Sequence, residues 1–167
     1  MLLLRSYKRD DARVIVSWIG DEFAFRQWSA DRYEQWPVTA ADVNANYDTC
    51  MAGGSFLALT AEDEKGTAGH LTMRWTDKQK TILRFGFIIV DSERRGLGLG
   101  RAMLRLALRH AFDVLKAKKV TLAVFKNNEP AYRCYKAAGF KDVPSKTPER
   151  YHVLDEVWTC QEMECLP

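Results

Sequence analysis

The stretch Phe85–Leu108, FGFIIVDSERRGLGLGRAMLRLAL, decides how the rest of the chain is read. It divides into an apolar strand (Phe85–Val90), a short charged turn (Asp91–Arg94), a glycine-spaced loop (Arg95–Gly100) and an amphipathic helix. Glycines at 96, 98 and 100 leave backbone N–H groups unobstructed and permit positive φ, which a side chain resists. No Ser, Thr, Asp or Asn stands where it would cap the first turn of that helix, so the free N–H groups of the turn stay available. Those donors, the positive end of the helix dipole and Arg94, Arg95 and Arg101 make an anion site suited to a pyrophosphate.

Glycine spacing narrows the choice of pyrophosphate. In a dinucleotide fingerprint, G-x-G-x-x-G, counting from Gly96 puts Arg101 where the third glycine belongs, and counting from Gly98 puts Met103 there. Lys126 follows the next apolar run, where a ribose-binding acid would be expected. No G-K-[ST] is present, so a P-loop is excluded. The pattern that fits is [RQ]-x-x-G-x-[GA], filled by Arg95, Gly98 and Gly100 after an apolar strand. This resembles the acetyl-CoA-binding motif of the GNAT superfamily of N-acetyltransferases. A second segment, Asn128-Glu-Pro-Ala131-Tyr-Arg-Cys-Tyr135-Lys-Ala-Ala-Gly139-Phe140, is similar to the other motif of that family, N-x-x-A-x-x-x-Y-x-x-x-G-F, and lies in the same order. The resemblance is close over Leu83–Val143 and topological elsewhere.

The resemblance implies a single-domain α/β fold over residues 1–167, with a mixed central sheet, two splayed parallel strands and flanking helices. It implies acetyl-CoA as cosubstrate, its pantetheine arm pairing with backbone near Ile88, Ile89 and Val90. Its phosphates would lie on Arg95, Gly96, Leu97, Gly98, Gly100 and Arg101, with Asn128 as a further contact. Tyr135 would be the acid that protonates the departing thiolate, and Tyr132, one turn earlier, is the competing phenol. The thioester carbonyl would be polarised by a backbone N–H near Val90. Cys134 has no basic partner beside it in sequence and the family transfers directly, so no acyl-cysteine is expected.

Composition sets the outer bounds. The 167 residues are 47% hydrophobic and 28% charged, as in an ordinary globular domain. A net charge of +3, with no Lys/Arg run beyond two residues, gives no reason to expect nucleic-acid binding. Leu2–Leu4 is too short for a signal peptide, and no apolar run reaches membrane length. Cys50, Cys134, Cys160 and Cys165 lack C-x-x-C spacing, and His70, His110 and His152 are scattered, so neither zinc nor a disulfide framework is expected. These features point to a cytoplasmic protein, monomeric or homodimeric.

Leu2–Arg5 reads as a first strand, and Asp10 or Asp11 as the cap of a helix with Val14, Ile15, Trp18 and Ile19 on one face, stopped by Gly20. Asp21–Pro37, crowded with aromatics and carboxylates, reads as a loop. Thr39-x-x-Asp42 opens a second helix as a capping box closing at Gly53-Gly54. Ser55–Ala61 and Gly69–Trp75 form a hairpin around EDEKG, followed by the strand Leu83–Val90. Arg101–Ala117 is a helix and Val120–Phe125 a central strand able to pair parallel to Leu83–Val90. Glu129–Ala138 is a short helix, and Tyr151–Glu164 reads as one last strand. The resulting order is β-α-α-β-β-β-α-β-α-β.

Acceptor and base are less sharply marked. In much of the family a carboxylate on the strand matching Leu83–Val90 relays the proton, but here that strand carries Arg84 and no acid before Asp91. His70, Asp91, Glu22 and Asp21 are the alternatives. An α-amine, with a pKa near 7.8, is roughly 10% free at pH 7 and needs no strong base. Phe23, Phe25, Trp28, Tyr33 and Trp36 either line an acceptor pocket, with Glu22, Asp31 or Glu34 drawing in an ammonium group, or fill the core. Glu22, Trp28, Tyr33 and His70 are the candidate acceptor contacts. The expected activity is acetyl transfer to a primary amine of a small molecule or a peptide N-terminus, and the N-terminal arrangement is similar to the branch acetylating ribosomal-protein N-termini. A CoA-binding sensor without turnover is the rival.

Overall fold

The computed structural model describes residues 1–167. Its strands are β1 (Leu3–Ser6), β2 (Phe56–Asp63), β3 (Gly66–Trp75), β4 (Ile82–Val90), β5 (Lys119–Phe125), β6 (Lys141–Asp142), β7 (Arg150–Val153) and β8 (Glu156–Cys165). Its helices are α1 (Asp11–Ser17), α2 (Glu22–Ser29), α3 (Ala40–Ala52), α4 (Leu99–Arg109) and α5 (Glu129–Ala138). The sheet runs β1-β2-β3-β4-β5-β8-β6, with β7 on β8, and is antiparallel except between β4 and β5.

Alternation along the strands feeds two cores. Leu71, Met73, Leu83, Phe85, Val120 and Leu122 pack with Met103, Leu104 and Ala107 of α4 and Tyr135 of α5. Phe56, Ala58 and Ile89 belong to the other core, with Ile15 of α1, Phe25 of α2 and Val43 and Tyr47 of α3. Burial on both faces explains why β3 is enclosed from Ala68 to Met73.

One defect in this sheet positions the site. Between His70 and Thr72 the β3–β4 register slips, so that Phe87 and Ile88 stand opposite Leu71. Phe87 takes a φ of 46°, left-handed for a residue with a bulky side chain and costing about 1–2 kcal/mol. A bulge of this kind bends its strand and re-aims side chains. β4 and β5 then pair only at Ile82–Lys119, Leu83–Val120 and Arg84–Thr121 before diverging.

Several local expectations change. Residues 22–29 are helical: Asp21 accepts a hydrogen bond from the Ala24 N–H at 2.7 Å and so caps α2. Neither Asp10 nor Asp11 caps α1. The Asp11 carboxylate instead takes both guanidinium nitrogens of Arg5 at 2.8 and 2.9 Å, the Lys8 N–H and the Thr60 hydroxyl, tying α1 to β1 and β2. The Thr39–Asp42 capping box forms in both directions. Beyond α4 the chain widens to i→i+5 bonding over His110–Val114. The expected last strand is two, because Leu154 and Asp155 both adopt positive φ and turn β7 into β8.

His70 sits on β3 under α3, fully buried, with Nε2 2.7 Å from the Tyr47 hydroxyl and the Tyr7 ring beside it. Burial holds the imidazole neutral, its pKa lowered to about 3. The unfolded chain binds a proton at this group below about 6.5 that the folded chain refuses. Stability therefore falls with acidification from about pH 6.5 towards 3, by up to about 1.4 kcal/mol per pH unit from this group. Urea midpoints between pH 7 and 4.5, above the range where carboxylates such as Asp11 add their own dependence, should show this slope in the native chain and lose it in His70→Gln.

Candidate active site

The divergence of β4 and β5 opens a cavity of about 800 Å³. Its floor is Phe85–Val90 of β4 and Ala123 of β5, one end is the glycine loop, and the opposite wall comes from α5. Trp18 and Ile19 after α1, with Ala24, Gln27 and Trp28 of α2, form the other end.

At the loop end, Gly96 and Gly98 adopt φ of 77° and 79°. Gly98 is the N-cap of α4 and no side chain bonds that first turn, so its N–H groups remain free for an anion. A methyl at Gly100 would lie 3.0 Å from the Cys134 sulfur, which explains how α4 and α5 meet so closely here. Arg95 and Arg101 line the cavity and take no part in the salt bridges that occupy Arg5, Arg9, Arg32, Arg84, Arg94 and Arg133. Arg94 also borders the cavity, but its guanidinium is held by Asp63, with Nη1 3.3 Å from Oδ1 and a second, closer contact from Nη2 to Oδ2. Its charge is therefore spoken for, and the free cations of the anion site are two rather than three. Leu97 is 73% exposed and does not line the cavity.

Pyrophosphate-bearing CoA fits this arrangement. Positive-φ glycines, an uncapped helix N-terminus and two unpaired arginines surround one end, and the β4 edge beyond Arg84 has no strand partner on the β5 side. Asn128 caps α5, accepting weakly from the Ala131 N–H at 3.4 Å, and also lines the cavity. Ile88, Ile89 and Val90 line it from the bulged strand.

Tyr135 stands on α5, 7% exposed, at the cavity wall. Burial pushes its phenol well above the ordinary value near 10, so it keeps its proton throughout the neutral range. Tyr132 has a different surrounding: its hydroxyl donates to Asp142 at 2.8 Å and it does not reach the cavity. Cys134 lines the cavity too, with burial raising its thiol pKa.

Of the four candidate acceptor contacts, only Trp28 meets the cavity. Tyr33 lies behind it, stacked at 5.9 Å and 3° between planes, its hydroxyl accepting from the Asn46 amide. Glu22 begins α2 but stays off the cavity wall, and His70 is sealed beneath α3. No Asp, Glu or His lines the cavity. Asp21 is committed to capping α2 and Asp91 to the N–H of Glu93 at 3.0 Å. Phe87, Trp18, Ile19 and Gln27 are wall residues that the sequence did not single out. Helical periodicity marked Trp18 and Ile19 only as core, and nothing local marks Phe87, whose role depends on the register slip with β3.

Known proteins resemble this chain in fold or in sequence. The spermidine N-acetyltransferase of Vibrio cholerae, solved in complex with CoA and spermine, superimposes with a TM-score of 0.82 over 99% of this chain and 95% of its own, at 22% identity. The spermidine N(1)-acetyltransferase of Escherichia coli K12 is 28% identical over 137 residues, 82% of this chain and 71% of that protein. The spermine/spermidine N(1)-acetyltransferase of Bacillus subtilis 168 is 29% identical over 100 residues, 59% of this chain, so the match spans only 58% of that relative's length. The model of the acetyltransferase (GNAT) family matches residues 22–140, from the start of α2 through both glycine-bearing motifs to Phe140. A match over that share of the sequence, on this fold, means that the chain belongs to the GNAT acetyltransferase family.

Proposed function

We propose that this protein transfers an acetyl group from acetyl-CoA to a primary amine by direct transfer in a ternary complex. The observation that carries the reading is one shared cavity, in which the anion cradle, the unpaired β4 edge and the protonated phenol of Tyr135 face a common space. The relatives named for acetylating spermidine or spermine support an amine as the acceptor.

The cosubstrate supplies an acyl group activated as a thioester. Arg95, Arg101 and the N–H groups at the start of α4 hold its phosphates. The unpaired edge of β4 orients its arm, and a backbone N–H near Val90 donates to the carbonyl oxygen as negative charge develops there. Tyr135, kept neutral by burial, gives its proton to the leaving sulfur, whose conjugate acid has a thiol's pKa near 8.5, and the proton that the amine nitrogen sheds on acylation restores the phenol. The wall brings no carboxylate or imidazole to the amine, so the amine must enter in its free form. That same feature favours a second reading, a CoA-binding module without turnover, which predicts ligand binding with no acetylated product from any amine.

Gly98→Val tests the cradle. An added Cβ meets no atom within 4 Å, so the penalty arises from the φ of 79° rather than from a clash. Titration calorimetry should show acetyl-CoA affinity reduced at least tenfold, with the melting temperature lowered by only a few degrees. Unchanged affinity would place the phosphates elsewhere.

Tyr135→Phe tests the chemistry, because it removes one hydroxyl and keeps the ring that packs against Phe140. Loss of a general acid should lower kcat by roughly 10²–10³ while acetyl-CoA affinity changes little. A purely structural tyrosine would give a lower melting temperature with turnover within threefold of the parent. Tyr132→Phe, which cuts only the bond to Asp142, should leave kcat close to that of the parent.

A further inference from the structure

We infer that the acceptor is a singly charged α-amine on an apolar residue, either a free amino acid or a peptide N-terminus, and not a polyamine. The inference rests on the acetyl-transfer reading above and takes its substance from the acceptor end of the cavity.

That end is neutral and aromatic. Trp18, Ile19, Ala24, Trp28 and Phe87 supply apolar surface, and Gln27 is the polar residue among them. The Gln27 amide nitrogen donates to Asn127 at 3.1 Å, so its carbonyl oxygen is left as a neutral acceptor for an amine N–H. The two tryptophans and Phe87 can offer a ring face to one ammonium but supply no counter-charge for a string of them. Each ammonium of a polyamine would have to shed water beside walls that carry no carboxylate, a transfer that is unfavourable for an unpaired ion. None of the acids nearest in sequence, Glu34 included, lines the cavity. Asp21 caps α2, Asp31 pairs with Arg32 at 2.7 Å, and Glu22 stays off the wall.

Proton supply points the same way. With no base on the wall, the rate follows the fraction of acceptor present as free amine. At pH 7 an α-amine with pKa 7.7–8.0 is roughly a tenth free, whereas an alkylamine with the pKa of lysine, about 10.4, is free only to about 0.04%. The free fractions differ a few hundredfold, an advantage that the greater nucleophilicity of the more basic amine offsets in part.

Rigidity supports the choice of an apolar side chain. Trp28 is fixed from behind by the parallel stack on Tyr33, whose hydroxyl is held by Asn46. Phe87 is held 5.0 Å from Trp28 by the bulge that gives it positive φ. The two rings touch, so they form one preset apolar face on which a side chain next to the amine can lie without reordering the wall.

The experiment compares kcat/KM at pH 7 and saturating acetyl-CoA, with products detected by mass, for L-phenylalanine, a Phe-Gly-Gly peptide, a Gly-Gly-Gly peptide and spermidine. The inference predicts a phenylalanine-led acceptor at least tenfold ahead of spermidine, with its rate rising through pH 7.8 to a plateau. A tenfold gap between L-phenylalanine and Phe-Gly-Gly assigns the source of the amine. Trp28→Ala should narrow the advantage of Phe-Gly-Gly over Gly-Gly-Gly at least tenfold without changing acetyl-CoA affinity. Should that variant not fold, Phe87→Gly, which suits the positive φ at this position, removes the adjoining ring and should do the same. Spermidine ahead by tenfold, or equal losses for both peptides in the variants, overturns the inference while the transferase reading stands. Acetyl-CoA binding with no product from any amine overturns both.

Discussion

The parting of two parallel strands is the constraint on which this molecule depends. β4 and β5 are joined at three residue pairs and no more. At the last of these Arg84 reaches the Thr121 hydroxyl at 3.2 Å and Glu162 of β8 at 3.1 Å, stitching three strands together where the gap begins. Beyond that point one edge of each strand loses its ladder, a cost that buried backbone polar groups do not bear without another partner. The Phe87 bulge bends β4 away, and the helices on either face hold the strands at their separation. α4 and α5 close one side through the Gly100–Cys134 contact, and α1 and α2 close the other with Trp18 and Trp28. Family membership gives this gap a use, since an extended arm with amide groups can take up the missing hydrogen bonds.

Charge is divided along the same cavity. At the loop end Arg95 and Arg101 are free while Arg94 is tied to Asp63, an arrangement that also fastens the segment after β4 to the β2–β3 hairpin. Near the centre is a phenol that burial keeps protonated. The far end is uncharged. Under the proposed reaction an anionic cosubstrate and an amine enter regions suited to each, with Tyr135 on the wall of the same cavity.

The conformations of the glycine loop and the α5 motif were legible because they are set locally. A positive-φ position, an uncapped helix start and a side-chain cap are each set by a few neighbouring residues, and Gly96, Gly98, Thr39 and Asn128 behave as their sequence context requires. The acceptor end was not legible, because it depends on long-range placement. Glu22, Tyr33 and His70 looked equivalent to Trp28 as candidates in a polar, aromatic stretch or a strand. Packing turned Tyr33 inward against Asn46 and sealed His70 against Tyr47, and only Trp28 of the four was left at the wall. Helix α2 escaped notice because its aromatic content resembles a core-filling loop, although Asp21 is a good cap. The β7–β8 turn escaped notice because Leu154-Asp155 lacks the Asn-Gly pair that usually announces such a turn.

Backbone hydrogen exchange with and without acetyl-CoA tests the central claim most directly, since it reads the amides of the gap themselves. If the open edge of β4 and the start of α4 receive the cosubstrate, saturating acetyl-CoA should slow exchange in peptides covering Ile88–Gly100 and at the start of α5. The β1–β2 ladder, on the far side of the sheet, should change little. Protection confined to other elements, with Ile88–Gly100 exchanging at the same rate in both states, would contradict the account.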